Sequence, residues 1–217
     1  MERSAEYPPR PLPAPATPRK ESRLRKLSYV VACSLDGFIG DERGDASAMY
    51  RYLDEEFTAF LAAELPETLP THVREALGVD HLENQRFDTV VQGRASYELA
   101  LREGITSPYG HLREYVASRG LGASPHPNVE IIADDLVGRV RALKAEEGGL
   151  GIFLCGGSQV AGALLDEIDE LVVKSYPLVY GKGMPMFGTG LDLKEFSLES
   201  VRTFGNGALV RTYGRER

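Results

Sequence analysis

Several things are scarce in this chain, and each scarcity closes off a class of function. It has 217 residues, only two cysteines, four histidines and no tryptophan. Cys33 and Cys155 both fall in apolar, strand-like runs, which predicts buried free thiols in a reducing, cytoplasmic compartment rather than a disulfide. His72, His81, His111 and His126 do not cluster, and no CxxC or HExxH spacing occurs, so no metal site is expected. No run of 18 apolar residues is present, and the start lacks the apolar segment of a secretory signal, so no membrane role is expected. Positive charge is also short outside the first 26 residues. That leading stretch holds seven Lys or Arg and three Glu, and the rest of the chain carries a formal charge of −11. A body of that sign repels nucleic acid in general but leaves room for one local basic pocket.

Residues 1–26 read as a tail. Six of the 13 prolines lie between Pro8 and Pro18, followed by Arg19, Lys20, Arg23, Arg25 and Lys26. Such a segment buries little apolar surface, which predicts a disordered or polyproline arm, either without a role or serving to dock a partner. Residues 27–217 fit one domain.

Within that domain, strand and helix periods alternate. Strands are expected over Leu27–Ser34, Phe87–Gln92, Val129–Ala133, Gly151–Cys155 and Glu170–Leu178. Glu114–Ser118 reads as a short strand or as the end of a helix begun near His111. Helical spacing covers Ala46–Leu65, with Met49, Leu53, Phe57, Phe60, Leu61 and Leu65 on one face and the acids Asp54, Glu55 and Glu56 on a solvated one. Further helices are expected over Thr71–Leu77, Ser96–Glu103 and Ser158–Asp166. Another follows a cap at Asp134 or Asp135 and stops at Gly148-Gly149. Phe196–Thr203, Gly205-Asn206-Gly207 and Ala208–Tyr213 predict an antiparallel hairpin. The fold class is therefore α/β: a mainly parallel sheet with flanking helices and an antiparallel C-terminal hairpin. The same alternation would also suit a flavin-binding, flavodoxin-like protein.

Two strand-turn-helix junctions carry the chemistry. In Phe153-Leu154-Cys155-Gly156-Gly157-Ser158 an apolar strand ends in a glycine pair and a helix starts at once. This is either a pyrophosphate cradle or a tight turn that needs glycine for its dihedral angles. Val91-Gln92-Gly93-Arg94-Ala95-Ser96 repeats the design with a guanidinium whose fork matches phosphate oxygens, or with an ordinary surface arginine. Ser118-Arg119 ends another strand, at the edge where open α/β sheets bind ligands. If Arg94 and Arg119 converge, they favour a ligand with a phosphate beyond the pyrophosphate, as in the 2′-phosphate of NADPH. Asp36, in Ser34-Leu35-Asp36-Gly37, is either a proton donor beside the reacting bond or a routine turn residue.

In order and spacing, Ser34-Leu35-Asp36-Gly37-Phe38-Ile39, Val91 to Glu98, Cys155 to Val160 and Asp169 to Phe187 resemble the dihydrofolate reductase-like superfamily. The nearer likeness is to the C-terminal reductase domain of bacterial riboflavin-biosynthesis deaminase/reductases (the RibD C-terminal domain), over about residues 27 to 214. The resemblance implies a twisted eight-stranded sheet with NADPH across the carboxyl ends of its central strands. Gly93, Arg94 and Ser96 would then hold coenzyme phosphates, with Ser118 and Arg119 near the ribose phosphate. Gly156, Gly157, Ser158, Gln159 and Val160 would line the pyrophosphate, and Ala32, Ile39 and Gly40 the nicotinamide. It also implies reduction of a pterin- or pyrimidine-like small molecule, with 5-amino-6-(5-phosphoribosylamino)uracil as the riboflavin-pathway instance, in a homodimer. Folate reduction is not expected, and no HxE or PCxxC zinc signature is present. The competing expectation is a catalytically silent nucleotide- or drug-binding module of the same fold.

Overall fold

A computed structural model describes residues 24–147, 149–188 and 192–216. The expected tail lies outside the described residues up to residue 23, as does Gly148 of the expected helix stop. The tail boundary needs a correction. Arg25 is only 5% exposed. Its guanidinium donates to the Leu150 carbonyl at 2.6 Å, to Thr89 Oγ1 at 2.8 Å and to Glu146 Oε2 at 2.9 Å, and it also pairs with Asp88. A basic run in sequence does not reveal which of its members has carboxylates waiting for it.

β1 (Leu27–Cys33) is buried on both faces, as a near-continuous apolar run predicts. β2 (Phe38–Gly40) follows the Asp36-Gly37 turn and pairs with β8 (Met184–Pro185) in a small second sheet that was not foreseen. The helix expected over 46–65 is broken in two. A 3-10 helix covers Ser47–Tyr52 and α1 covers Glu55–Glu64. Asp54 causes the break: its carboxylate accepts from Phe57 N at 2.9 Å and caps α1. Asp54, Glu55 and Glu56 are thus a cap and an acidic first turn, placed where the helix dipole favours them.

α2 (Thr71–Ala76) leads to β3 (Phe87–Gly93), and α3 (Arg94–Arg102) starts two residues earlier than expected, with Gly93 as its N-cap. β4 (Arg113–Ala117) is a strand, which resolves the ambiguity there. β5 (Val129–Ile132) precedes α4 (Leu136–Ala145), capped by Asp135, whose φ is 44°. β6 (Gly151–Gly156), α5 (Ser158–Ala163) and β7 (Glu170–Ser175) follow, and β9 (Phe196–Thr203) with β10 (Leu209–Arg215) makes the expected hairpin.

The main sheet has eight strands in the order β5-β4-β3-β6-β1-β7-β10-β9. The first six are mutually parallel and β10 runs antiparallel to β7. Two cores sit on its two faces. Tyr29, Val31 and Leu154 pack with Val140 and Leu143 of α4, Ala161 of α5 and Leu164 just after it. Val30, Val90, Phe153 and Val172 pack with Phe57, Leu61 and Leu65. Each such fully buried side chain contributes about 1.5–3 kcal/mol relative to exposure. Burying both faces leaves the strand ends as the places where a ligand can meet the backbone, and four parallel strands (β3, β6, β1 and β7) deliver their carboxyl ends side by side.

Candidate active site

The two glycine corners touch. A Cβ placed on Gly93 would lie 3.0 Å from Val160 Cγ2 and 3.2 Å from Gly157 N. One placed on Gly157 would lie 3.9 Å from Ser96 Oγ. Gly156 takes φ +124°, a region side-chain-bearing residues rarely adopt. The corner after β6 and the corner after β3 are therefore one structure, a largely buried glycine junction between the starts of α3 and α5. Ser158 is 5% exposed, and its Oγ has no hydrogen-bond partner among the described residues. An orphaned buried hydroxyl beside this glycine junction, where Gly93 leaves little room for a side chain, fits a phosphate-bearing ligand.

A cavity opens on each side of this junction. On one side a groove of about 380 Å³ is lined by Ser118, Arg119, Gln159 and Val160, together with Asp134 and Leu136. The Ser118 hydroxyl accepts from Gly120 N at 3.3 Å and Leu121 N at 3.0 Å, which shapes the 118–121 loop. Arg94 reaches the same loop, since its Nη1 lies 2.9 Å from where a Gly120 Cβ would stand. Its Nε donates to Glu98 Oε1 at 2.6 Å. Arg94 thus approaches the loop that carries Arg119.

On the other side lies a cleft of about 460 Å³. Its floor is the sheet itself: Phe153 and Cys155 from β6, Val30 and Ala32 from β1, Lys174 from β7. Ile39, Gly44 and Met184 close one wall, and Ser96, Glu98, Leu99 and Arg102 of α3 the other. The cleft continues into a side chamber of about 360 Å³ that shares Ser96, Leu99, Tyr109 and Cys155 and adds Gln92 and His72. Gln92 is 1% exposed, and its Nε2 is unpartnered among the described residues.

The expected residues therefore divide. Ala32, Ile39, Ser96 and Gly157 line the cleft, Ser118, Arg119, Gln159 and Val160 line the groove, and Gly93 with Gly156 forms the ridge between. Gly40 lines neither. A Cβ there would sit 3.0 Å from Gly44 C and 3.1 Å from Gly44 O, so its small size lets the 40–45 loop close. Asp36 is also outside. Its carboxylate accepts from Ser34 Oγ at 2.6 Å, Gly181 N at 2.7 Å and Tyr180 N at 3.2 Å. The Ser34 hydrogen bond above all, helped by these backbone amides, holds its pKa below the usual carboxylate value. These hydrogen bonds make the Asp36 carboxylate a pin between the turn after β1 and the 180–181 loop, and it lines neither cavity.

Several cleft residues escaped the sequence reading. Lys174, Arg43, Arg102, Tyr109 and Gln92 all face these cavities. The missed signal was Lys174, a charge inside the apolar run Leu171-Val172-Val173-Lys174-Ser175 of a central strand. Tyr109 donates to or accepts from Cys155 Sγ at 3.4 Å. Burial pushes the pKa values of both up and that of Lys174 down. Cys33 and Cys155 are both free thiols. No helix among the described residues is long and apolar enough to cross a membrane.

The strand order and the terminal hairpin define an α/β domain with a mainly parallel sheet, flanking helices and antiparallel C-terminal strands. Within that class the family model of the RibD C-terminal domain matches residues 111–210, which bears out the resemblance seen in the sequence. The chain is 25% identical over 183 residues to the uncharacterized protein YwjB of Bacillus subtilis (strain 168), covering 83% of this chain and 93% of that protein. Its fold matches a putative riboflavin biosynthesis protein from Shewanella sp. PV-4 with a TM-score of 0.66 at 23% identity, covering 88% of this chain and 99% of the other. It also matches a Thermotoga maritima diaminohydroxyphosphoribosylaminopyrimidine deaminase/5-amino-6-(5-phosphoribosylamino)uracil reductase. There the TM-score is 0.57 at 17% identity, covering 89% of this chain and 57% of that one.

Proposed function

We propose that this protein is an NADPH-dependent reductase of a pterin- or pyrimidine-like small molecule. One observation carries the reading: the abutting Gly93 and Gly157 corners separate two cavities, so a ligand with a central pyrophosphate can extend into both. Its adenosine end would lie along Gln159 and Val160, with the 2′-phosphate between Arg94 and Arg119. Its nicotinamide would enter the cleft over Ala32 and Ile39. When bound, NADPH supplies a hydride. The chain's own residues then orient a flat ring between α3 and Ile39, exclude water with Leu99 and Met184, and present polar groups from the cleft floor. The homodimer implied by the resemblance belongs to the same reading and is measured by light scattering.

Calorimetry tests it. NADPH binds the wild type with a Kd of roughly micromolar order, and Arg94→Ala weakens it by about 1–3 kcal/mol. NADH binds at least about tenfold less tightly than NADPH, and Arg94→Ala narrows that gap. The absence of heat for either coenzyme with folded protein would remove the proposal, as would equal affinity of wild type and variant for Arg94's part in it.

A further inference from the structure

We propose that Lys174 is the group that protonates the substrate in this cleft, delivering a proton from Nζ to a ring or imine nitrogen of the substrate as the C=N bond at that nitrogen takes up hydride. The inference rests on the reductase reading above.

The placement is specific. Lys174 lies on β7 directly opposite Ala32 of β1, at the carboxyl half of the sheet. Its other neighbour in register is Val210 of β10, so neither flanking strand brings it a charge. It lines the cleft and makes no hydrogen bond or ion pair among the described residues. Every other titratable or charged side chain lining the cleft itself is unsuited to the task, and His72 and Glu103 line only the side chamber. Cys155 from β6 and Tyr109 from the loop before β4 are both held neutral by burial, and each occupies the other's polar atom. Glu98 on α3 is tied to Arg94. Arg102 on α3 and Arg43 in the 40–45 loop carry guanidinium groups that do not release protons near neutral pH. Tyr50, from the 3-10 turn, is largely exposed. Asp36 is outside the cleft.

An ammonium with no partner in the cleft is costly, so burial lowers its pKa and makes it a readier proton donor than a free lysine. The step balances. As the C=N carbon accepts hydride from the reduced coenzyme, a new N–H bond forms and one Nζ–H bond breaks. The π electrons become the nitrogen lone pair that takes the proton. The neutral amine of Lys174 then recovers a proton from water at the cleft mouth.

Two measurements on the full chain decide it. In protein labelled with [ε-13C]lysine, the Lys174 resonance is assigned by its absence from Lys174→Met and followed against pH with and without NADP+. It is expected to titrate below the other lysines and to move when NADP+ binds. Titration alongside the others, or indifference to NADP+ that calorimetry shows to be bound, overturns the proposal. The second is NADPH oxidation over a panel of pterins, pyrimidines and quinones. Lys174→Met and Lys174→Arg both lose turnover by about 100-fold or more while NADPH affinity stays within about threefold. Arginine keeps the charge but cannot release the proton, so a Lys174→Arg enzyme with wild-type turnover and pH profile overturns the proposal. Failure of NADPH to bind the wild type sinks the reductase reading itself, a result distinguishable from either outcome at Lys174.

Discussion

The two ends of the sheet treat positive charge in opposite ways. At the amino ends of the strands several cations are held by carboxylates, while the buried Arg74 on α2 is held by backbone carbonyls. Arg25 pairs with Asp88 and Glu146, Lys144 with Asp169 at 2.6 Å, Arg86 with Glu170 at 2.6 Å and Arg113 with Glu146 at 2.6 Å. At the carboxyl ends Lys174, Arg43, Arg102 and Arg119 have no carboxylate partner among the described residues, and Arg94 holds only Glu98 from its own helix. Buried polar atoms of Gln92 and Ser158 are orphaned at this end, although Glu67, Arg74, Glu114 and Arg211 each leave one unpartnered as well. A chain with a formal charge of −7 had acids enough to neutralise these groups. Paired charge at one end serves folding; unpaired charge at the other is what an anionic or polar ligand would complete.

The largest expected effect breaks the paired end. Arg25→Met strips Asp88 and Glu146 of their shared cation and leaves the Leu150 carbonyl without its 2.6 Å donor. Both carboxylates keep some contact with water, so the cost is set at about 2–4 kcal/mol rather than that of a fully buried pair. Thermal unfolding should show a fall of several degrees, with NADPH affinity unchanged below the transition. Next, Gly93→Ala pushes a methyl against Val160 and the Gly157 amide. Overpacking there costs about 1–3 kcal/mol of stability and, by separating the corners, weakens NADPH binding measured by calorimetry. A variant that lost stability and kept coenzyme affinity would show that the ridge between the cavities is not the phosphate site.

This difference between the ends also explains what could be read in advance. The parallel strands, the hairpin and both glycine corners were legible because apolar runs and glycine placement report local constraints. Asp54 as a helix break was not, since the same acid reads equally as cap or solvated face until its neighbour's amide is located. Arg25 looked like tail because its partners, Asp88 and Glu146, are distant in sequence. Lys174 was overlooked because a lysine within an apolar run says nothing about which face it points to. The β2–β8 pair joins short segments too far apart for any local pattern to link them. Sequence reached the backbone of the site, but not the side chains that arrive from other strands.

Sharpening the comparison at the unpaired end, Lys174→Met should stabilise the protein as it abolishes turnover. An unpartnered ammonium in a cleft is a cost that methionine of similar length removes, and about 1 kcal/mol gained corresponds to a rise in Tm of about 2–4 °C for a domain of this size. The pH dependence follows from the lowered pKa. Between that lowered value and 10.5 the unfolded chain binds more protons than the folded one, so wild-type stability rises with pH in that window. The advantage of Lys174→Met is therefore largest near neutrality and fades toward pH 10. Melting curves at pH 7 and pH 10 measure it, and an Arg25→Met control should show no comparable gain at either.

The smallest effect separates Asp36 from the chemistry. Its carboxylate ties the turn after β1 to Tyr180 and Gly181 through two backbone amides, outside the cleft. Since its folded-state pKa is lowered, its contribution is present above the ordinary carboxylate range and is lost as pH falls through the lowered value. Asp36→Ala should accelerate hydrogen exchange at the Tyr180 and Gly181 amides at pH 7, and the wild type should show the same acceleration on acidification. Turnover should fall by less than about tenfold, below the 10²–10⁴ typical of a lost general acid, and the pH profile should keep its shape because the proton donor is elsewhere. A collapse of turnover with protected amides would return Asp36 to the reacting bond and take that role from Lys174.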